Sequence, residues 1–239
     1  MTIAGLNIVV PLAGPDFVSA DGSLKALIDI GQAEPFLHAT LKQRPWARGT
    51  APSSYAFVLH DRPATRAFAS NYLQAWFPGC RVVFLSHFTA GAAFSSLAGA
   101  ALQLGSHNSP VVIDLADILY STALDPAFHF ARHPEAGGLA LTFQSQNPLY
   151  SYLRKNDEGN VVEAAEKKVI SSEASAGTYA FRSGSVLLKA LAHALENAST
   201  QTHRDLFFVC PLFNGILAQS LTVTTTKVEN VRDMKQVDG

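Results

Sequence analysis

Four short segments of this 239-residue chain carry the residue types that could do chemistry. Pro11-Leu12-Ala13-Gly14 ends an apolar run and opens a loop that reaches Lys25. Gly91-Ala92-Ala93 begins a helical pattern with Ser95 and Ser96 in its first turns. Small residues there would let a flat base or a ribose approach backbone, and a helix N-terminus favours oxygen acceptors. Asp117 follows another apolar run, where a carboxylate can hold Mg²⁺. Glu166-Lys167 places an acid beside a base at the end of a strand-like segment that can face the same cleft. Each also has a plainer reading. Lys25 could be a surface lysine, Asp117 a turn former or helix cap, and Glu166-Lys167-Lys168 a solvated strand end. Asp114 is an unusual acid within a buried run, able to face the cleft or to bond a neighbouring loop.

These segments need a scaffold, and the hydrophobic pattern supplies one. Residues 7–12, 53–60, 80–86 and 110–115 read as strands, with helices over 64–76 and about 90–104. This β-α-β-α-β alternation implies a doubly wound, mostly parallel mixed α/β sheet with helices on both faces. Ligands of such sheets sit at the carboxyl ends of the strands, so the loops after Leu12, His60, Ser86 and Leu115 are the expected walls of a site. The second half is richer in hairpins. Strands are expected at 138–144, 149–154, 161–165 and 176–181, then helices at 184–197 and about 205–219 and a strand at 221–228. The run 227–235 reads as a solvated tail. No linker or repeat interrupts the chain, which reads as one domain over 1–239, with halves 1–125 and 126–239.

Composition narrows the partners. The chain has 18 Lys+Arg against 19 Asp+Glu, a net charge of −1, which argues against a general nucleic-acid binder. A polyanionic ligand would therefore have to be held by a few placed groups. Cys80 and Cys210 lie far apart in apolar surroundings and read as reduced core thiols. The first 14 residues have no basic flank, so no signal peptide or membrane insertion is expected, and the reading is cytoplasmic. There is no GxGxxG, P-loop, GxSxG or HExxH. His129 and His133 would share a helix face, with Glu135 the only close carboxylate, and read as a solvated or partly buried pair rather than a zinc site.

Taken together, NIVVPLAG (7–14) with SLKALIDI (23–30), TAGAAFSSLAGAAL (89–102), VVIDLADILY (111–120), LTFQSQNPLYSYLRKNDEGNVVEAAEKKVIS (141–171) and SAGTYAFRSG (175–184) resemble the sugar nucleotidyltransferases. The resemblance is to the branch of capsule and surface-polysaccharide clusters, with a glycosyltransferase type A-like fold. It implies Mg²⁺-dependent attack of a sugar 1-phosphate on the α-phosphate of a nucleoside triphosphate, releasing pyrophosphate, for surface polysaccharide synthesis. It implies a nucleotide-binding first half and a sugar-phosphate-binding second half. Lys25 would contact phosphates, Asp117 would bind Mg²⁺, Glu166 would bond sugar hydroxyls and Lys167 the sugar phosphate. Gly177 would lie in the sugar-site strand. Leu12, Ala13, Gly14, Gly91 and Ala92 would line the nucleotide. A degenerate member that only binds such ligands, and a glycosyltransferase using a ready-made nucleotide sugar, are the alternatives. Oligomeric state is open.

The first loop departs from the family pattern. It reads Pro15-Asp16-Phe17-Val18-Ser19-Ala20-Asp21-Gly22-Ser23-Leu24, without the arginine that clamps a triphosphate. Pro15 removes a backbone N–H, and Lys25 is the first basic side chain of the chain. A carboxylate about 4 Å from a phosphate would oppose binding by about 1–4 kcal/mol at effective dielectrics of roughly 80 to 20. Asp233 and Asp238 are the acids available near the C-terminal end for a second metal.

Overall fold

A computed structural model of the chain describes residues 5–31, 34–103 and 108–233. Strand β1 (Asn7–Pro11) lies inside the sheet because its side chains are apolar on both faces. Ile8 and Val10 enter one core cluster and Val9 the other. Successive strand residues point to opposite faces, so an unbroken apolar run requires cover on both. Each such aliphatic side chain contributes roughly 1.5–3 kcal/mol when fully buried.

Helix α1 (Phe36–Lys42) follows, then strand β2 (Tyr55–His60). Helix α2 (Pro63–Phe68) starts with proline at its first position, runs through one π-helical turn at Ala69–Leu73, and ends as α3 (Gln74–Trp76). Strand β3 (Arg81–Leu85), helix α4 (Ala92–Ala101) and strand β4 (Val111–Asp114) complete the expected alternation. Helix α4 lies close on the sheet: a Cβ at Gly99 would stand 2.6 Å from Val9 Cγ1 and 2.9 Å from Val58 Cγ2. That close approach explains the small residues of this segment.

Beyond β4 come β5 (Ile118–Ser121), α5 (Pro126–Arg132), β6 (Ala136–Gln144), β7 (Ser151–Lys155), β8 (Val161–Glu166) and β9 (Glu173–Phe181). Next are α6 (Gly184–Glu196), α7 (Ala198–Gln201), β10 (Thr202–His203) and β11 (Leu206–Phe207). The last elements are α8 (Leu212–Leu217), β12 (Thr222–Lys227) and β13 (Glu229–Asp233). Local chemistry sets several starts. Asp125 Oδ1 accepts from Ala127 N and Phe128 N at the head of α5, and Ser183 Oγ accepts from Val186 N at the head of α6.

The main sheet runs β12-β6-β9-β4-β1-β2-β3, with β7 and β8 attached beside β9. Strands β1, β2, β3 and β4 are parallel, β9 runs antiparallel between β4 and β6, and β12 is parallel to β6. The mixed, mostly parallel α/β architecture is the expected one. Strand order reverses at β1, since β2 and β3 are added on one side of it and β4 on the other, so the switch point lies at its carboxyl end.

Two expectations are corrected. Residues 205–219 are not one helix: β10 and β11 form a small hairpin, and only Leu212–Leu217 is helical. Phe207 and Phe208 follow Asp205 and precede Pro211, so the apolar spacing imitated a helix where turn chemistry governs. The run 227–235 is not simply a solvated tail, since β13 pairs antiparallel with β5 and Tyr150 Oη donates to buried Asp233 at 2.6 Å. Asp233 is thus engaged in the strand pair, and Asp238 lies outside the described residues. Both cysteines are free and buried, and burial pushes the Cys80 thiol up to about 11.

Candidate active site

The first loop leaves the end of β1, where Leu12 N donates to Val58 O at 2.7 Å. It is a pinned hairpin. Phe17 is buried and meets the Phe68 ring edge-on at 5.9 Å. Val18 bridges Leu24, and Ser19 N donates to Ser23 O at 2.8 Å. Asp21 accepts from Ser23 N and Ser23 Oγ, and those hydrogen bonds hold its carboxyl below the ordinary range. Leu12 and Gly14 line a cavity of about 470 Å³ between this loop and the β2–α2 connection. Lys25 Nζ donates to Asp16 Oδ2 at 2.8 Å. The loop's acid and its first base therefore pair with each other on the surface.

Asp117 stands on the turn after β4, and that turn is built from beneath. Arg44 is 2% exposed and Asp114 0% exposed. Arg44 Nε donates to Asp114 Oδ2 at 2.7 Å and Nη2 to Oδ1 at 3.1 Å, a bidentate pair. The guanidinium carbon also lies 3.8 Å from the centre of the Tyr120 ring. Burial pulls the Arg44 pKa down most strongly, but Asp114, Tyr120 and Asp117 together outweigh it and raise it above its ordinary value. Asp114 Oδ1 in turn accepts from Ala116 N at 2.9 Å, where Ala116 adopts φ +53°. Asp114 is thus a support for the turn rather than a second cleft carboxylate. It was the sequence's odd buried acid; its partner, Arg44, gave no local signal.

The turn brings Asp117 to Gly177 of β9. Gly177 has φ +75°, and a Cβ there would stand 2.9 Å from Asp117 Oδ1. Leu115 N donates to Gly177 O at 2.9 Å. A glycine is required by both the left-handed backbone and the close approach. The candidate metal carboxylate of the first half and the candidate sugar-strand glycine of the second therefore touch.

Glu166 ends β8, half-buried, and accepts a hydrogen bond from Ser151 Oγ of β7. Its charge reaches the buried Tyr179 and Cys210, both raised first by burial and then further by neighbouring charge. Strand β8 is held by a residue not singled out in the sequence. Asn214 of α8 accepts from Ala164 N and donates to Ala164 O, both at 2.9 Å, so its amide imitates a neighbouring strand. Lys167 follows with φ +49°, exposed, its Nζ 5.3 Å from the Phe208 ring.

Gly91 and Ala92 open α4. Gly91 has φ +116°, and a Cβ there would stand 2.3 Å from Phe207 O. Phe207 N also donates to Ala90 O at 2.7 Å. The space that glycine opens is thus filled by the chain's own backbone. Phe207 and Phe208 together connect the Gly91 segment with Lys167. Gly91→Ala is expected to destabilise the protein by about 1–3 kcal/mol from backbone strain alone, with the clash adding to it. A urea unfolding midpoint would measure this, and a midpoint unchanged from wild type would refute it.

His129 on α5 stacks at 4.6 Å on His133, the residue that follows the helix, and His129 Nε2 is 2.9 Å from Thr224 Oγ1. Burial first, then His133, lowers the His129 pKa. His129 is partly buried and His133 is exposed. Among the described residues no three His, Cys, Asp or Glu side chains converge into a metal cage. Mg²⁺ at a phosphate-transfer site does not need one, because substrate oxygens and water complete its octahedron around one or two carboxylates. Asp117 offers such a hard oxygen donor at the carboxyl edge.

No protein-family model matches the sequence, and no curated protein matches it. Solved structures do. A nucleoside-diphosphate-sugar pyrophosphorylase from Vibrio cholerae superposes with a TM-score of 0.79 at 16% identity, over 98% of this chain and 96% of that one. A protein described as a glucose-1-phosphate thymidylyltransferase from Bacillus anthracis matches with a TM-score of 0.69 at 15% identity, over 96% and 89%. A UDP-glucose pyrophosphorylase complexed with UDP-glucose gives 0.64 at 13%, over 98% and 95%. The chain has the fold of the sugar nucleotidyltransferases. No helix among its described residues is long and apolar enough to cross a membrane.

Proposed function

We propose that the protein transfers a nucleotidyl group from a nucleoside triphosphate to a sugar 1-phosphate. One observation carries this reading: Asp117 beside Gly177, at the carboxyl edge of a sheet of this fold. The sugar phosphate oxygen attacks the α-phosphorus, a new P–O bond forms, and the bond to the pyrophosphate oxygen breaks. Such in-line displacement depends on positioning and charge neutralisation more than on covalent catalysis. Leu12, Ala13, Gly14 and Ala92 hold the nucleotide in the 1–125 half, while Gly91 lets the Phe207 backbone close against the head of α4. Glu166 accepts from sugar hydroxyls, and Lys167 takes the sugar phosphate, in the 126–239 half. Asp117 would hold Mg²⁺, which when bound neutralises phosphate charge. Surface-polysaccharide synthesis in the cytoplasm would use the product.

A second reading, a member that binds these ligands without turnover, is favoured by Lys25, whose ammonium is engaged by Asp16. An exposed pair of that kind is worth only about 0.2–1 kcal/mol, so a phosphate can compete for the lysine. The catalytic reading therefore takes precedence. Full-length protein with Mg²⁺, mixed nucleoside triphosphates and a panel of sugar 1-phosphates is expected to release pyrophosphate. Silence across the panel, together with no nucleotide binding by calorimetry, would reject the reading.

A further inference from the structure

The one cation of the first loop, Lys25, is paired with Asp16, yet the cavity the loop borders contains another cation. The cavity of about 470 Å³ lies between Gly14, Pro15 and Phe17 on one wall and His60, Arg62 and Phe88 on the other. No carboxylate is among its lining residues. The acids nearest in sequence are already neutralised. Asp16 takes Lys25, and Asp61 takes Arg66 in a bidentate pair at 2.6 and 2.8 Å. Arg62 forms no ion pair among the described residues, and its Nε donates to His60 Nδ1 at 3.1 Å.

The arginine also sits on a rigid base. His60 stacks on Phe88 at 4.3 Å, which holds the ring that accepts from Arg62. Thr65 Oγ1 donates to His60 O at 2.5 Å and accepts from Arg62 N at 3.1 Å. Asp61 N donates to Leu85 O at 2.8 Å, tying this turn to β3. A guanidinium anchored through Nε keeps its two terminal nitrogens for a further acceptor, and their planar fork matches phosphate oxygens.

We infer that Arg62, at the mouth of this cavity, is an anion contact for the polyphosphate of a nucleoside triphosphate, supplying from the β2–α2 turn the arginine that the first loop does not contain. The inference rests on the proposed nucleotidyl transfer for its ligand. Its site and its charge are read from the geometry alone.

Two measurements separate the two claims. Inorganic tripolyphosphate binding to the full chain is followed by calorimetry at fixed ionic strength. Arg62→Ala is expected to weaken it at least tenfold and Arg62→Lys to recover only part of the loss, because lysine lacks the fork. Arg66→Ala, which removes the same charge one turn away, is expected to change it less than threefold. No binding by wild type at millimolar tripolyphosphate, or equal losses in Arg62→Ala and Arg66→Ala, overturns the inference. Pyrophosphate release is measured in parallel. Turnover with an unchanged KM for nucleotide in Arg62→Ala would overturn the inference and leave the proposed function standing. Arg62-dependent tripolyphosphate binding without turnover would do the reverse.

Discussion

Asp117→Asn is expected to lower pyrophosphate release by at least about a hundredfold. A metal's stabilisation of transferring phosphate charge is worth several kcal/mol, and each 1.36 kcal/mol is a factor of ten. Asparagine keeps the shape of the side chain against Gly177 but offers a neutral oxygen in place of a carboxylate. Stability should change little by comparison. The side chain is half-buried, and its clearest electrostatic role is a minor share in keeping Arg44 charged. The measurement pairs initial rates at several Mg²⁺ concentrations with a thermal unfolding curve. Full activity in Asp117→Asn would remove Asp117 from the chemistry. Lost activity with a collapsed melting temperature would show it to be a structural residue.

The largest effect on stability is expected from Arg44→Ala. It leaves the Asp114 carboxylate fully buried with its fork gone, and breaking a buried pair in this way costs about 3–5 kcal/mol. For a protein of this size each kcal/mol lowers the melting temperature by about 2–4 °C, so a fall of about 6–20 °C is expected. Arg44→Lys should recover only a minor part, because one ammonium cannot make both bonds and lie flat on Tyr120. Asp114→Ala should cost a similar amount, and it also deprives Ala116 N of its acceptor. The double variant Arg44→Ala with Asp114→Ala should be less destabilised than the sum of the two, since no buried charge is left unpaired. Additive losses in the cycle would mean that the two groups do not act as a pair. Because the turn carries Asp117, all four variants should also lose turnover at temperatures where they remain folded.

These two residues show where a one-dimensional reading stops. The position of Asp117 was legible, though its role is a proposal: a carboxylate just past an apolar run is placed by the strand that precedes it, and the strand's period is local. Asp114 was visible as an anomaly, an acid in a buried run, but its role was not. The partner that explains it is 70 positions away, on the connection that follows α1, a helix the pattern did not disclose. The same holds for Asn214, whose amide completes β8 across 50 positions. Arg62 was hidden differently. Its loop was an expected wall of the site, yet nothing in the sequence distinguishes it from Arg66, which Asp61 neutralises.

The amino-acid order implied the alternating strands and helices, the mixed, mostly parallel sheet and the edge at which its loops converge. Hydrophobic period, proline starts and capping residues act over a few neighbouring positions, and they suffice for that. It also carried the local charge deficit of the first loop. Three-dimensional packing set the charges around that deficit. It paired Lys25 with Asp16 and Arg66 with Asp61, and it left Arg62 facing the cavity. It seated the Phe207 backbone against Gly91 and brought Gly177 against Asp117. The physical reason is one and the same: charge pairing and close backbone approach depend on distance in space, and residues remote along the chain leave no local trace of it.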